Sequence, residues 1–145
     1  MTEQETIKRI AQNKQRVTNL LNEKSKLNKD LEELDLLKNK FSNLLSNFDG
    51  MQSKRKNTLN KYMKKGIHSK IYRQYISGMS NMLSNGEYAN CCNGVGEAKR
   101  KINNKMGEIL NKIETLDIEI KKINNKTNLY NRELIELRKE KKNGC

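Results

Sequence analysis

The residues of this chain that could bind a metal or act as nucleophiles are three cysteines and one histidine. Cys91 and Cys92 are adjacent, Cys145 is the last residue, and His68 stands far from all three. Adjacent cysteines rarely bridge each other because the small ring strains the intervening peptide, and these spacings match no zinc-binding pattern. The sequence therefore predicts reduced thiols, no metal site and no cofactor.

Catalytic patterns are equally sparse. His68 lies between Ile67 and Ser69 in a basic segment, with no acidic residue nearby in sequence to orient it. A cysteine–histidine pair would need an enclosed pocket, which a chain with only 5% aromatic residues seldom builds. Gly94-Val95-Gly96 lacks the third glycine and the preceding strand of a phosphate-binding loop. We predict that the protein is not an enzyme.

A basic segment is the most distinctive charge feature. No acidic residue occurs between Asp49 and Glu87. Tyr62, Tyr72 and Tyr75 lie among the cations, as on surfaces where bases stack on rings and phosphates release counterions. An acidic protein, anionic lipid heads, or solvent alone would suit the same charges, and no known nucleic-acid-binding pattern is present. The eight residues of this basic patch are Lys54, Arg55, Lys56, Lys61, Lys64, Lys65, Lys70 and Arg73.

The elements that must position the cysteines and the basic patch include two long segments with a 3.5-residue apolar period. The second segment, from Ile102 to Leu137, predicts a helix over residues 97–141 with one narrow apolar seam. The first predicts a helix over residues 2–48, in which lysines at two seam positions, Lys24 and Lys38, disfavour pairing with an identical helix. Extra leucines widen the apolar side of this helix toward Phe48, which predicts more than one neighbour there; they are Leu21, Leu36, Leu37 and Leu44.

The middle of the chain is less regular. Asn47-Phe48-Asp49-Gly50 predicts a turn, residues 51–83 a helical segment weakened by Gly66 and Gly78, and residues 84–96 a flexible turn. A split into two shorter helices near Gly66 is an alternative. We therefore predict an all-α fold: one elongated domain over residues 1–145, an antiparallel, coiled-coil-like helical hairpin with a shorter, kinked helical middle.

The chain shows no signal for a membrane. Only 34% of its residues are apolar, and three apolar residues never occur in a row. Its first residues form neither a signal peptide nor a transmembrane segment. We expect a protein that is cytoplasmic as synthesised, and export with a partner by a signal-peptide-independent route stays open.

The layout also resembles a known family. A long first helix, an aromatic-x-Gly tripeptide at Phe48-Asp49-Gly50, a less regular middle and a long basic-ended last helix resemble the WXG100-like and YwqH-like small helical proteins of type VII secretion, including accessory proteins of LXG toxins. Phenylalanine replaces the family's tryptophan, and the chain is longer. The family's C-terminal Tyr-x-x-x-Asp/Glu export signal is missing, because Leu134 stands four residues after Tyr130.

This resemblance implies an accessory partner or chaperone that binds the helical N-terminal domain of a secreted toxin, with a second small helical subunit supplying the export signal. A basic nucleic-acid-binding protein and a self-assembling structural coiled coil are the alternatives. The predicted partner-binding residues are the seam positions Leu20, Leu27, Leu34, Phe41 and Phe48 of the first helix, and Ile109, Ile113, Leu116, Ile120 and Ile123 of the last.

Overall fold

The computed structural model of this chain describes residues 1–64 and 70–144. They form three α-helices: α1 Glu3–Lys64, α2 Lys70–Asn85 and α3 Glu87–Asn143. No strand occurs in the described ranges, so the all-α prediction is confirmed. His68, Gly66, Lys65 and Cys145, on which some of the predictions fall, lie outside the described residues.

A capping box starts α1. The Thr2 hydroxyl accepts from the Glu5 backbone N–H at 3.2 Å, and a Glu5 carboxylate oxygen accepts from the Thr2 backbone N–H at 3.1 Å. This reciprocal pair satisfies two donors that a helix start otherwise leaves without partners. Glu3 and Glu5 add negative charge to the first turn, where the helix dipole favours it.

The chain divides into two compact units. Unit 1 consists of residues 1–32 and 106–145, and unit 2 of residues 33–105. In unit 1 the start of α1 pairs with the end of α3, and the ion pairs that the structure describes between the two helices lie at three places. In order along α1 they are Glu3 with Arg138 and Lys141, Arg16 with Glu119, and Lys24 with Asp117. Residue numbers fall along α3 as they rise along α1, so the predicted antiparallel hairpin is confirmed.

The core of unit 1 is one seam. Ile10, Ile109, Leu116 and Ile123 are buried in it. Thr127 is buried as well, and its hydroxyl donates to the Ile123 carbonyl at 2.9 Å, so this polar seam position has a partner inside its own helix. The seam lysine Lys24 also has its partner within the chain, because its ammonium lies 2.6 Å from an Asp117 carboxylate oxygen.

Unit 2 contains the second half of α1, all of α2 and the start of α3. The turn that the sequence predicts at Asn47-Phe48-Asp49-Gly50 is wrong, because α1 runs through these residues to Lys64. A helical glycine costs about 1 kcal/mol relative to alanine, whereas burying one leucine side chain contributes about 1.5–3 kcal/mol. Apolar seam residues stand on both sides of Gly50, so one glycine without a proline does not end the helix.

The predicted flexible turn over residues 84–96 is also wrong, except at its first residues. Here α2 ends at Asn85, Gly86 is a bend, and α3 begins at Glu87 and continues through Gly94 and Gly96. A Cβ on Gly86 would lie 2.9 Å from the Met82 carbonyl oxygen, which also accepts the Gly86 N–H at 3.2 Å. The bend therefore requires glycine. The short helix α2 corresponds to the shorter helical middle that the sequence predicts.

Candidate interaction surfaces

The predicted partner-binding residues of α3 form an internal core. Ile109, Leu116 and Ile123 are buried in unit 1, while Ile113 and Ile120 are half-buried. A seam covered to this extent by α1 leaves little surface for a second protein. These five residues therefore act first as the hydrophobic contact that holds unit 1 together.

The predicted residues of α1 are less covered. Leu20 and Leu27 in unit 1 are half-buried, as are Leu34 and Phe41 in unit 2, and Phe48 is 39% exposed. Exposure in this set is thus greatest at Phe48. The apolar surface of α1 that remains accessible lies mainly in unit 2.

A stripe of exposed apolar side chains follows α1 in unit 2. Leu37, Leu44 and Met51 stand seven residues apart and are 41%, 50% and 54% exposed, and Phe48 lies between the last two. Residues seven apart in a helix lie on nearly the same side, so these four form one surface, which we call the α1 stripe. The sequence signalled Leu37 and Leu44 through the widened apolar side. Met51 was missed because it follows the incorrectly predicted turn.

Tyr88 of α3 contacts α1 at one edge of the α1 stripe. Its ring stacks on Phe48 with centroids 5.7 Å apart, and its hydroxyl donates to an Asp49 carboxylate oxygen. A cavity of about 50 Å³ lies beside this contact, with Leu44, Leu45 and Val95 in its apolar lining. Phe48 and Asp49 thus belong to a helix–helix contact and not to a turn. Cys91 and Cys92, which also line the cavity, are free thiols.

The basic patch is exposed where its side chains are described. Lys54, Arg55, Lys56 and Lys61 of α1 and Arg73 of α2 all face solvent. Lys65 lies outside the described residues, as do the side chains of Lys64 and Lys70. Tyr75 is exposed too, so this tyrosine is not part of a buried seam. The side chains of Tyr62 and Tyr72 are not among those described.

A groove between α1 and α2 lies next to these cations. It has a volume of about 450 Å³, and we call it the Met groove; its described lining residues are Lys54, Arg55, Thr58, Leu59, Met79 and Met82. Leu59 and Met79 are half-buried, and Met82 is 62% exposed. Sequence reasoning missed this groove because it placed residues 51–83 in one segment. In a continuous helix, Leu59 and Met79 would be roughly 30 Å apart.

The described part of the chain has neither a cluster of metal ligands nor a membrane-spanning helix. Across residues 1–64 and 70–144, no three His, Cys, Asp or Glu side chains cluster closely enough to hold a metal ion. The same part of the chain contains no helix with the length and apolar content that crossing a bilayer requires. Searches against protein-family models, curated proteins and solved structures found no match to this chain.

Proposed function

We propose that this protein is a helical protein–protein interaction module whose partner is another helical protein. The observation that carries the proposal is the α1 stripe, in which Leu37, Leu44, Phe48 and Met51 are 39–54% exposed along one side of a helix. Single exposed apolar residues are ordinary, but a set in helical register is what a partner helix or groove buries. Each large apolar side chain that such a partner covers contributes up to about 1.5–3 kcal/mol.

The finer proposal concerns the identity of that partner. We propose that it is the helical N-terminal domain of a secreted toxin, and that this chain acts as an accessory protein or chaperone in type VII secretion. The layout supports this proposal, with two long helices on either side of the short helix α2. Phe48-Asp49-Gly50 does not add to the support as a turn, because it is helical.

The proposal predicts that a toxin with a helical N-terminal domain is encoded beside the gene for this chain, and co-expression with that domain tests it. The test variant replaces two stripe residues, Leu44→Glu and Met51→Glu, because charges placed on a buried apolar contact abolish it. The matched control replaces two equally exposed apolar residues of α3, Leu129→Glu and Ile135→Glu, which are 56% and 55% exposed. Circular dichroism of each purified variant verifies that the helices remain.

We expect the native chain and the control to co-purify with the toxin domain and the stripe variant to lose it. Equal retention by both variants, or equal loss, would exclude the α1 stripe as the binding surface. Light scattering of the native chain alone distinguishes this function from the alternative of a self-assembling coiled coil. A dimer that becomes a monomer in the Leu44→Glu, Met51→Glu variant would assign the stripe to a second copy of this chain.

A further inference from the structure

We propose that the Met groove binds an acidic amphipathic helix of the partner protein. This inference rests on the proposed function, and it assigns the groove a chemistry separate from that of the α1 stripe. The structure brings an apolar floor of Leu59, Met79 and Met82 together with two cations, Lys54 and Arg55, on the same groove. Neither the floor nor the charges alone would specify an occupant; together they do.

The apolar floor suits a helix that inserts aliphatic side chains. Methionine has three rotatable bonds and a polarizable sulfur, so it adapts its shape to the side chains packed against it. Met82, at 62% exposure, has apolar surface available to a partner, and Met79 and Leu59 lie half-buried beside it. A concave apolar surface of this kind accepts the i, i+3, i+4 and i+7 side chains of an amphipathic helix.

The charges select an acidic flank on that helix. Lys54 and Arg55 form no ion pair within the described chain, and the same is true of their exposed neighbours Lys56 and Lys61. The whole of residues 50–86 contains no acidic residue, so neither helix beside the groove supplies a carboxylate within this range. A partner with glutamates or aspartates beside its apolar face would supply that charge, which favours its encounter and its orientation.

The lining favours a protein over a nucleic acid. Nonspecific single-strand binding combines cations with aromatic rings on which bases stack, and none of the lining residues that the structure describes is aromatic. Phosphates paired with Lys54 and Arg55 would leave the methionine floor in water. An amphipathic helix covers the floor and pairs with the cations at once.

Fluorescence anisotropy with the full chain tests this inference. The probe is a synthetic, hydrocarbon-stapled peptide of about 20 residues, long enough to be helical, with leucines at i, i+3, i+4 and i+7 and glutamates on both flanks. A second peptide carries glutamine in place of every glutamate. The protein variants are Lys54→Glu with Arg55→Glu for the rim, and Met79→Gln with Met82→Gln for the floor. The control, Lys121→Glu with Lys139→Glu on exposed positions of α3, has the same net charge as the rim variant.

We expect both groove variants to raise the Kd of the acidic peptide by about tenfold or more, and the control to change it by less than about twofold. The glutamine peptide should bind at least about tenfold more weakly than the acidic one. Equal weakening by the rim variant and the control would show nonspecific attraction to a basic protein and overturn the inference. Displacement of the peptide by a single-stranded oligonucleotide, dependent on Lys54 and Arg55, would assign the groove to nucleic acid.

Failure here is distinguishable from failure of the proposed function. A second stripe variant, Leu37→Glu with Leu44→Glu, should bind the acidic peptide with unchanged Kd, because neither residue is among the described lining of the Met groove and neither stands within one helical turn of Lys54 or Arg55. Absence of peptide binding with an intact toxin-domain complex would remove the groove assignment alone. Peptide binding without any complex would instead remove the proposed toxin-domain partner.

Discussion

At the scale of single residues, Gln52 has a polar side-chain amide in a buried position. It is buried in unit 2, and its side-chain nitrogen has no hydrogen-bond partner among the residues that the structure describes. A buried amide donor without a partner costs roughly 1–3 kcal/mol. We expect Gln52→Leu to raise the free energy of unfolding by about 1–2 kcal/mol, because it removes the unsatisfied donor and adds apolar burial. Urea unfolding followed by circular dichroism measures the change.

The control for this change is Gln12→Leu on the exposed side of α1. An exposed substitution of this type should alter the free energy of unfolding by no more than about 0.5 kcal/mol. A Gln52→Leu variant less stable than the native chain would show that the amide is satisfied in solution, for example by a water molecule.

Glu3 links the stability of unit 1 to pH. Hydrogen bonds from Lys141 and then from Arg138 hold the pKa of Glu3 below its ordinary value of 4.5. A carboxylate with a depressed pKa stabilises the fold above its unfolded-state pKa, and this contribution is lost as the pH falls through the folded-state pKa. Since Arg138 and Lys141 are exposed and Glu3 is only half-buried, the effect is small and screened by salt.

We therefore expect Glu3→Gln to lower the thermal midpoint slightly near neutral pH and to have no effect once the carboxylate of the native chain is protonated. Thermal melts at low salt, from about pH 7 to about pH 3, measure the difference. The other carboxylates titrate in both proteins, so only the difference between the two curves reports on Glu3. Parallel curves over the whole range would contradict the assignment.

At the scale of elements, Gly50 and Gly86 differ in whether their position can accept a side chain. Gly50 is inside α1, and a Cβ there would meet no described atom beyond its own helix backbone within 4 Å, whereas a Cβ on Gly86 would meet the Met82 carbonyl oxygen at 2.9 Å. We expect Gly50→Ala to stabilise unit 2 by up to about 1 kcal/mol, because alanine is the better helix former. Gly86→Ala should destabilise it, because the backbone must shift.

Denaturant unfolding of the two variants measures both effects, with Gly94→Ala as a further helical control that also has open space at its Cβ. Gly50→Ala also distinguishes a continuous helix from a turn at residues 47–50. If residues 47–50 formed the turn that their sequence suggests, with glycine in a left-handed conformation, alanine would destabilise the protein instead.

These elements also show what the sequence could and could not predict. The seams of α1 and α3 were predictable because an apolar residue recurs at every third or fourth position along each helix. Ile10 of α1 and Ile123 of α3 are two such positions, and both are buried. The end of α1 and the start of α3 were not predictable, whereas the start of α1 and the end of α3 lie within two residues of their predicted positions. Residues 47–50 favour a turn over a helix by only about 1 kcal/mol. The apolar burial by seam residues on both sides stabilises the continuous helix by more than that.

The candidate site was predictable only in part, for a related physical reason. The α1 stripe repeats along one helix, so Phe48 and the extra leucines were visible in the sequence. The Met groove joins Leu59 of α1 to Met79 and Met82 of α2. Such a groove depends on how two helices pack against each other, and no periodicity within either helix encodes that.

At the scale of the whole molecule, charge is unevenly distributed between the two units. Unit 2 has 14 lysines and arginines against 5 acidic residues, a net charge of +9. Unit 1 has 16 against 12, a net charge of +4, and it contains the ion pairs between α1 and α3. Repulsion among like charges therefore opposes folding mainly in unit 2, whereas attraction across the helix pair supports unit 1.

Salt should thus affect the two units in opposite directions. Raising NaCl from about 20 mM to about 500 mM shortens the Debye length to a few ångströms, which weakens both the repulsion and the exposed ion pairs. We expect amide hydrogen exchange to slow in α1 residues 33–64 of unit 2 and to quicken slightly in residues 3–32 of unit 1. Mass spectrometry of peptides from each range measures both rates in one sample.

The Lys54→Glu, Arg55→Glu variant, with a net charge lower by four, should show a smaller change of exchange rate with salt in unit 2. An equal response to salt in both units, or in both proteins, would mean that the excess charge of unit 2 does not limit its stability.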